Sequence, residues 1–215
     1  CSLPSSTNVA RGVPLRPPPI IPMLSLLAPL VAAQSCPSGP TLFFSQFQEA
    51  QSGNNKYWQI YNPTSATIVL AGSYALGKCA NGCANGEFEY ELLFAAGAQI
   101  SAGGTYTVCN SGLGDTSLCD ETHPHPGVSH NGNDFAALIN VPGIAGATAA
   151  NIVDGIGLFS ATNPGSSWPI CGTNSGMNTQ NGLMVRSSTV TCGDVSGAFE
   201  RWFDGSPQAS CPWTE

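Results

Sequence analysis

The stretch Phe43-Phe44-Ser45-Gln46-Phe47-Gln48-Glu49, then Gly53-Asn54-Asn55, then Lys56-Tyr57-Trp58-Gln59-Ile60-Tyr61-Asn62-Pro63, restricts the fold more than any other segment. An apolar-rich strand runs into a Gly-Asn-Asn turn, a second strand with alternating character follows, and Asn-Pro stops it. Gly and Asn supply turn geometry, and a proline ends ladder pairing. This is the grammar of a β-hairpin. Asn54 and Asn55 tolerate left-handed turn geometry and can bond back to the backbone, while Lys56 starts the second strand.

Strand signals continue through the rest of the chain. Thr67-Ile68-Val69-Leu70 is a short β-branched run. In Glu87-Phe88-Glu89-Tyr90-Glu91-Leu92 the carboxylates fall on one face and the apolar side chains on the other, the period of a half-buried strand. Further strands are expected at 105–109, 135–140, 151–158 and 182–188, divided by Asn-Gly and Asn-Pro-Gly breaks. A short helical turn is allowed at 145–150. Charged residues make up only 9% of the chain against 25 Gly and 17 Pro, a balance that suits loop-rich β structure over helix. The expected fold is a single all-β, disulfide-bonded sandwich.

The ends read differently from the body. Met23 to Ala33 is a short apolar run closing on small residues before Gln34-Ser35-Cys36, the pattern of a signal peptide cleaved after Ala33. It is far shorter than the ~20 residues that span a bilayer. Residues 1–22, with Pro17-Pro18-Pro19, are read as upstream or unstructured sequence, and residues 36–215 as the domain. The expected localisation is extracellular. Beyond the leader, four cations face thirteen carboxylates, a formal charge of −9. So few cations cannot neutralise many phosphates, which disfavours direct nucleic-acid or anionic-membrane binding.

Cys1 aside, eight cysteines form an even set, as a disulfide framework in an oxidising compartment requires. The expected local bridges are Cys109–Cys119 and Cys192–Cys211, each worth about 3 kcal/mol in the loop-closure picture. Cys79-Ala-Asn-Gly-Cys83 lacks the partner knuckle of a zinc site. His123-Pro124-His125, near Asp120, Glu121 and His130, is the one weak metal candidate, since alternate residues of an extended His-x-His can point the same way. No metal or other cofactor is expected. No Gly-x-Ser-x-Gly, Walker loop or His-Glu-x-x-His occurs. Glu87, Glu89 and Glu91 have no opposing acids. Tyr57, Trp58, Tyr61, Trp168, Trp202 and Trp213 can stack on sugars wherever they are exposed, although strand aromatics more often lie in the core.

Four segments in order resemble the secreted and bacterial-type lamin tail domain. They are the opening hairpin through Asn62-Pro63, the stretch His130-Asn131-Gly132-Asn133-Asp134-Phe135-Ala136-Ala137-Leu138, Ile152-Val153-Asp154-Gly155-Ile156-Gly157, and Gly182-Leu183-Met184-Val185-Arg186. The resemblance implies an immunoglobulin-like β-sandwich and a non-catalytic attachment module at the cell surface or extracellular matrix, with an unknown protein or glycan as partner. The rivals are an accessory fragment of a secreted endonuclease/exonuclease/phosphatase-type hydrolase, and a carbohydrate-binding module. Asn54, Asn55, Lys56, Asn62, Asp134, Asp154 and Arg186 are the motif residues, each with a structural rationale. Asp134 accepts backbone N–H groups as its strand begins, and Arg186 is a partner for a carboxylate such as Asp154, which is either wet or buried against one. Gln46 and Gln59 stand where that family often carries glutamates, which removes negative charge from the hairpin. The domain is expected to lack its last strand, with the segment at 210–215 leading into it. N-terminal sequencing of secreted protein is expected to return Gln34 or a near neighbour; a mature start before Met23 overturns the leader reading.

Overall fold

A computed structural model describes Cys36, Gly39 and residues 41–50, 53–124, 127–159, 163–171, 176–193 and 213–214, all within the unit Val31–Glu215. The leader, His125, Trp202 and Cys211 lie outside the described residues. The strands are β1 (Phe43–Glu49), β2 (Lys56–Tyr61), β3 (Ile68–Val69), β4 (Ala75–Cys79), β5 (Tyr90–Leu93), β6 (Gln99–Ile100), β7 (Thr105–Asn110), β8 (Glu121–His123), β9 (Phe135–Ile139), β10 (Ile152–Ile156), β11 (Leu183–Arg186) and β12 (Trp213–Thr214). They form a six-stranded sheet in the order β12-β11-β1-β2-β7-β8, a four-stranded sheet β10-β9-β4-β5, and a small β3-β6 pair. The chain is an all-β, disulfide-bonded sandwich. A single 3₁₀ turn at Ala149–Asn151 occupies the end of the stretch expected to turn helically.

Period two alone does not explain β1. Phe44 and Phe47 are both fully buried, yet three positions apart they belong on opposite faces of a regular strand. A β-bulge between Phe44 and Gln46 resets the register, so that both rings enter the core while Gln46 and Gln48 stay outside. The Ser45 hydroxyl fills the irregularity, donating to Gln59 Oε1 at 2.9 Å. Beyond Gln46 the β1–β11 ladder stops, which leaves the N–H and C=O of Phe44 without strand partners. Two charged side chains complete them. Asp154 of β10 accepts from Phe44 N at 2.8 Å, and Arg186 Nε donates to Phe44 O at 3.2 Å. Arg186 Nη2 in turn donates to both Asp154 oxygens, at 2.9 and 2.7 Å, and its guanidinium lies 4.0 Å from the Trp213 ring. This buried cluster spans the two main sheets.

The four-stranded sheet shows why β4 is hard to read from sequence. All of Ala75–Cys79 is buried, as are all of β9 and β10, so no polar alternation marks them. Gly77 lies under the Phe88 ring, where a Cβ would come within 2.5 Å of Phe88 Cδ1. Lys78 is buried because Asp134 Oδ2 pairs with its Nζ at 3.3 Å. Asp134 also accepts from the backbone N–H groups of Asn131 (3.1 Å) and Asn81 (3.0 Å), closing the approach to β9. Trp213 and Thr214 themselves form an edge strand on β11; the segment is not merely a lead-in.

Three disulfides are described: Cys36–Cys192, Cys79–Cys83 and Cys109–Cys119. Cys171 is also disulfide-bonded. The expected Cys192–Cys211 bridge is corrected, since Cys192 is taken by Cys36, 156 residues away. The cause is topological. The segment after β11 runs against the chain just before β1, with Gly193 N donating to Thr41 Oγ1 at 3.1 Å. Local loop spacing carries no trace of that contact.

Replacing Asp154 by Asn removes the carboxylate that holds both Arg186 Nη2 and Phe44 N, and is expected to cost about 3–5 kcal/mol in urea unfolding. An isolated buried pair is often replaceable by apolar residues. Here the Asp154→Leu/Arg186→Met double variant is expected to stay destabilised, because the Phe44 backbone loses both partners. Recovery to wild-type stability would show that the pair does not cap the bulge.

Candidate binding groove

The outer face of the six-stranded sheet carries an ordered set of uncharged polar side chains. Register places them in two rows across the strands. One row runs Val185, Gln46, Gln59, Thr107, and the next Leu183, Gln48, Tyr57, Cys109. Their alternate neighbours Phe47, Trp58, Ile60 and Val108 are buried on the other side. The core residues thus fix the backbone, and the backbone fixes the spacing of the polar groups.

A wall rises along one side of these rows. The 111–120 loop folds back over β7, held by the Cys109–Cys119 disulfide, which begins on the floor itself. Gly114 N donates to Asn55 Oδ1 at 3.3 Å. Gly112 approaches the hairpin turn so closely that a Cβ there would lie 2.6 Å from Asn54 Nδ2. Asp120 clamps the far end: its carboxylate accepts from Thr107 N at 2.7 Å, and its N–H donates to Thr107 O at 2.9 Å. Floor and wall border a groove of about 510 Å³, lined by Gln46, Gln48, Tyr57, Gln59, Thr107 and the loop residues Leu113, Gly114, Asp115, Leu118 and Cys119, with Asn55 at the turn. That volume falls within the range of small-molecule sites. Leu118, at 83% exposure, stands on the rim.

The hydrogen bonding of the floor is half complete. Tyr57 Oη donates to Gln46 Oε1 at 2.8 Å, and Gln59 Nε2 donates to Thr107 Oγ1 at 3.2 Å. Burial pushes the Tyr57 phenol above its ordinary value, so it keeps its proton. Gln46 Nε2 and the whole Gln48 carboxamide make no hydrogen bond among the described residues. The one charged side chain in the lining is Asp115. Hydrogen bonds from Ser117 hold its carboxyl below the ordinary value.

Behind the floor sits His130, fully buried, with its ring 4.4 Å from Phe47 and 5.0 Å from Trp58. Its Nε2 is 2.7 Å from Gln48 O, so the neutral ring donates there and braces β1. Lys56 Nζ donates to His130 O and pairs with Glu49 at 3.2 Å, while Glu49 accepts from Asn181 N. Burial is the main cause that lowers the His130 pKa, to about 3, with Lys56 and Lys78 adding to it.

Several expectations change against this geometry. The left-handed residue of the hairpin turn is Gly53, at φ 73°, and neither Asn54 nor Asn55 has positive φ; both asparagines instead meet the wall. Asn62 stays structural, its Nδ2 donating to Ala66 O, Ile100 O and Ser101 O at 2.8, 3.0 and 3.1 Å. His123 is bonded to Glu121, and His130 lies apart from it in the core. Among the described residues no group of three or more His, Cys, Asp or Glu side chains is placed to hold a metal. Trp168 is buried, its Nε1 donating to Asp134 O at 3.0 Å, and Trp213 is buried on Arg186. Tyr61 is half-buried, with its ring edge-on to Phe43 at 5.5 Å. Of the aromatics singled out from sequence, Tyr57 lines the groove. Glu89 and Glu91 are also engaged, accepting from Ala80 N at 2.8 Å and Ile144 N at 2.6 Å. A smaller hollow of about 320 Å³ beside the Cys79–Cys83 loop is bordered by Asn81 and Asn163, which are bonded to one another at 3.2 Å.

The groove itself was not read from sequence. Its signal was the uncharged pair Gln46 and Gln59, which β1–β2 register sets directly opposite each other. Acid is the condition that tests the brace behind it. Folded His130 resists protonation until about pH 3, while the unfolded ring protonates near 6.5. Stability is therefore full above about pH 6.5 and falls as pH drops toward 3, by about 1.4 kcal/mol per pH unit from this one group. Urea midpoints measured from pH 7 to 4 should decline accordingly, and the His130 ring resonances should not titrate in that range. A titration midpoint near 6 would refute the assignment. No model of a known protein family matches the chain, and no curated protein matches it.

Proposed function

We propose that this chain is a secreted, non-catalytic binding module of the lamin-tail type, which attaches to a partner at the cell surface or extracellular matrix through the groove on its six-stranded sheet. The groove floor carries this reading. Gln46, Gln48, Tyr57, Gln59 and Thr107 stand on strands locked by the core, and part of their hydrogen-bonding capacity is unused among the described residues. Polar groups preorganised on rigid elements bind with little ordering cost. Secretion is supported by the disulfides, which persist in oxidising compartments. No helix among the described residues is long and apolar enough to cross a membrane. The lamin-tail assignment rests on the four sequence segments, which lie at the β1–β2 hairpin, at the start of β9, in β10 and in β11.

Expressed as the full chain in a secreting host, the protein is expected in the medium and bound to deposited matrix or cell surfaces. The Gln48→Arg and Tyr57→Ala variants change groove groups and leave core side chains alone. Each is expected to weaken attachment about tenfold or more with the thermal midpoint little changed. Retention inside the cell, or attachment indifferent to both variants, would overturn the reading.

A further inference from the structure

We infer that the groove on the outer face of the six-stranded sheet takes an uncharged oligosaccharide, with its rings laid across the two polar rows. The inference rests on the binding-module reading and supplies its ligand. Sugar hydroxyls are donors and acceptors at once, and carboxamides answer both roles from one side chain. The floor presents three carboxamides, from Gln46, Gln48 and Gln59, together with the Tyr57 and Thr107 hydroxyls. Free capacity is concentrated at Gln46 Nε2 and the Gln48 carboxamide. The apolar C–H faces of a sugar need apolar partners, and the Tyr57 ring on the floor and Leu118 on the rim supply them.

Charge narrows the class further. Among the described residues no Lys, Arg or His lines the groove, and the one ionised group there is the Asp115 carboxylate. A sulfated or uronic-acid glycan would bring anions to a site with no cation and one like charge, an arrangement that rejects it. A phosphorylated ligand fails on the same ground. The smaller hollow by the Cys79–Cys83 loop differs in charge, since Glu87 and Glu89 stand in its lining beside Asn81, Asn85 and Asn163.

The test is calorimetric titration of the full chain with neutral hexasaccharides of glucose, xylose, mannose and galactose, beside an oligogalacturonate and a heparin fragment. At least one neutral sugar is expected to bind with a micromolar to millimolar dissociation constant, and the acidic ones not at the same concentrations. Gln48→Ala and Tyr57→Ala are each expected to weaken that binding about tenfold. Gln48 forms no side-chain hydrogen bond among the described residues, so its variant remains informative should Tyr57→Ala fold poorly. Absence of binding to every neutral sugar at millimolar concentration, a preference for the acidic ones, or affinity unchanged in both variants overturns the inference. Attachment to matrix that survives enzymatic removal of glycans, yet is lost in the groove variants, also overturns it while leaving the binding-module reading in place. Sugar binding without attachment to matrix supports the inference and removes the attachment role.

Discussion

The sandwich depends on how one irregular residue of β1 is satisfied. Phe44 must enter the core together with Phe47, and only a bulge permits it. Where the β1–β11 ladder ends, the Phe44 backbone meets no strand on that side, and a buried backbone group without a partner is costly. Asp154 and Arg186 answer both the N–H and the C=O, and each neutralises the other. The ion pair is therefore better understood as a polar plug for a strand defect than as a stabilising charge contact. Trp213 stacked on the guanidinium excludes water from it.

From the same strand follows the character of the outer face. Once the bulge sets the phase of β1, Gln46 and Gln48 are obliged to point outward opposite Gln59 and Tyr57. The hairpin turn then has a second role, because Asn54 and Asn55 receive the loop that walls the groove. His130 supports the floor from behind through Gln48 O. Core, turn and groove are parts of one mechanical arrangement.

The fold was legible wherever an apolar or alternating run is bounded by turn residues. β1, β2, β7, β9, β10 and β11 were read this way, although β7 beyond Thr105 and all of β9 and β10 are buried, and the motif residues Asp134, Asp154 and Arg186 stand out as charges among apolar neighbours. β4 was not legible, because Ala75-Leu76-Gly77-Lys78-Cys79 is covered on both faces and carries a glycine and a lysine whose reasons lie in Phe88 and Asp134. β6, β8 and β12 are too short to show a period. Cys36–Cys192 was invisible, since a pairing 156 residues apart is decided by topology alone. The groove was half visible. Gln46 and Gln59 stood out as uncharged, but their juxtaposition needs register, and the wall needs the Gly112 approach.

The same long-range bridge has a bearing on how the molecule meets force. Tension reaches a folded chain through the segments on either side of its covalent bridges. With Cys36 joined to Cys192, tension arriving from both flanks passes sulfur to sulfur, and the hydrogen-bonded ladders between those positions carry none of it. β12 joins β11 from beyond Cys192 and so lies outside that clip, whereas β1, β2 and β7, which carry the groove floor, lie inside it.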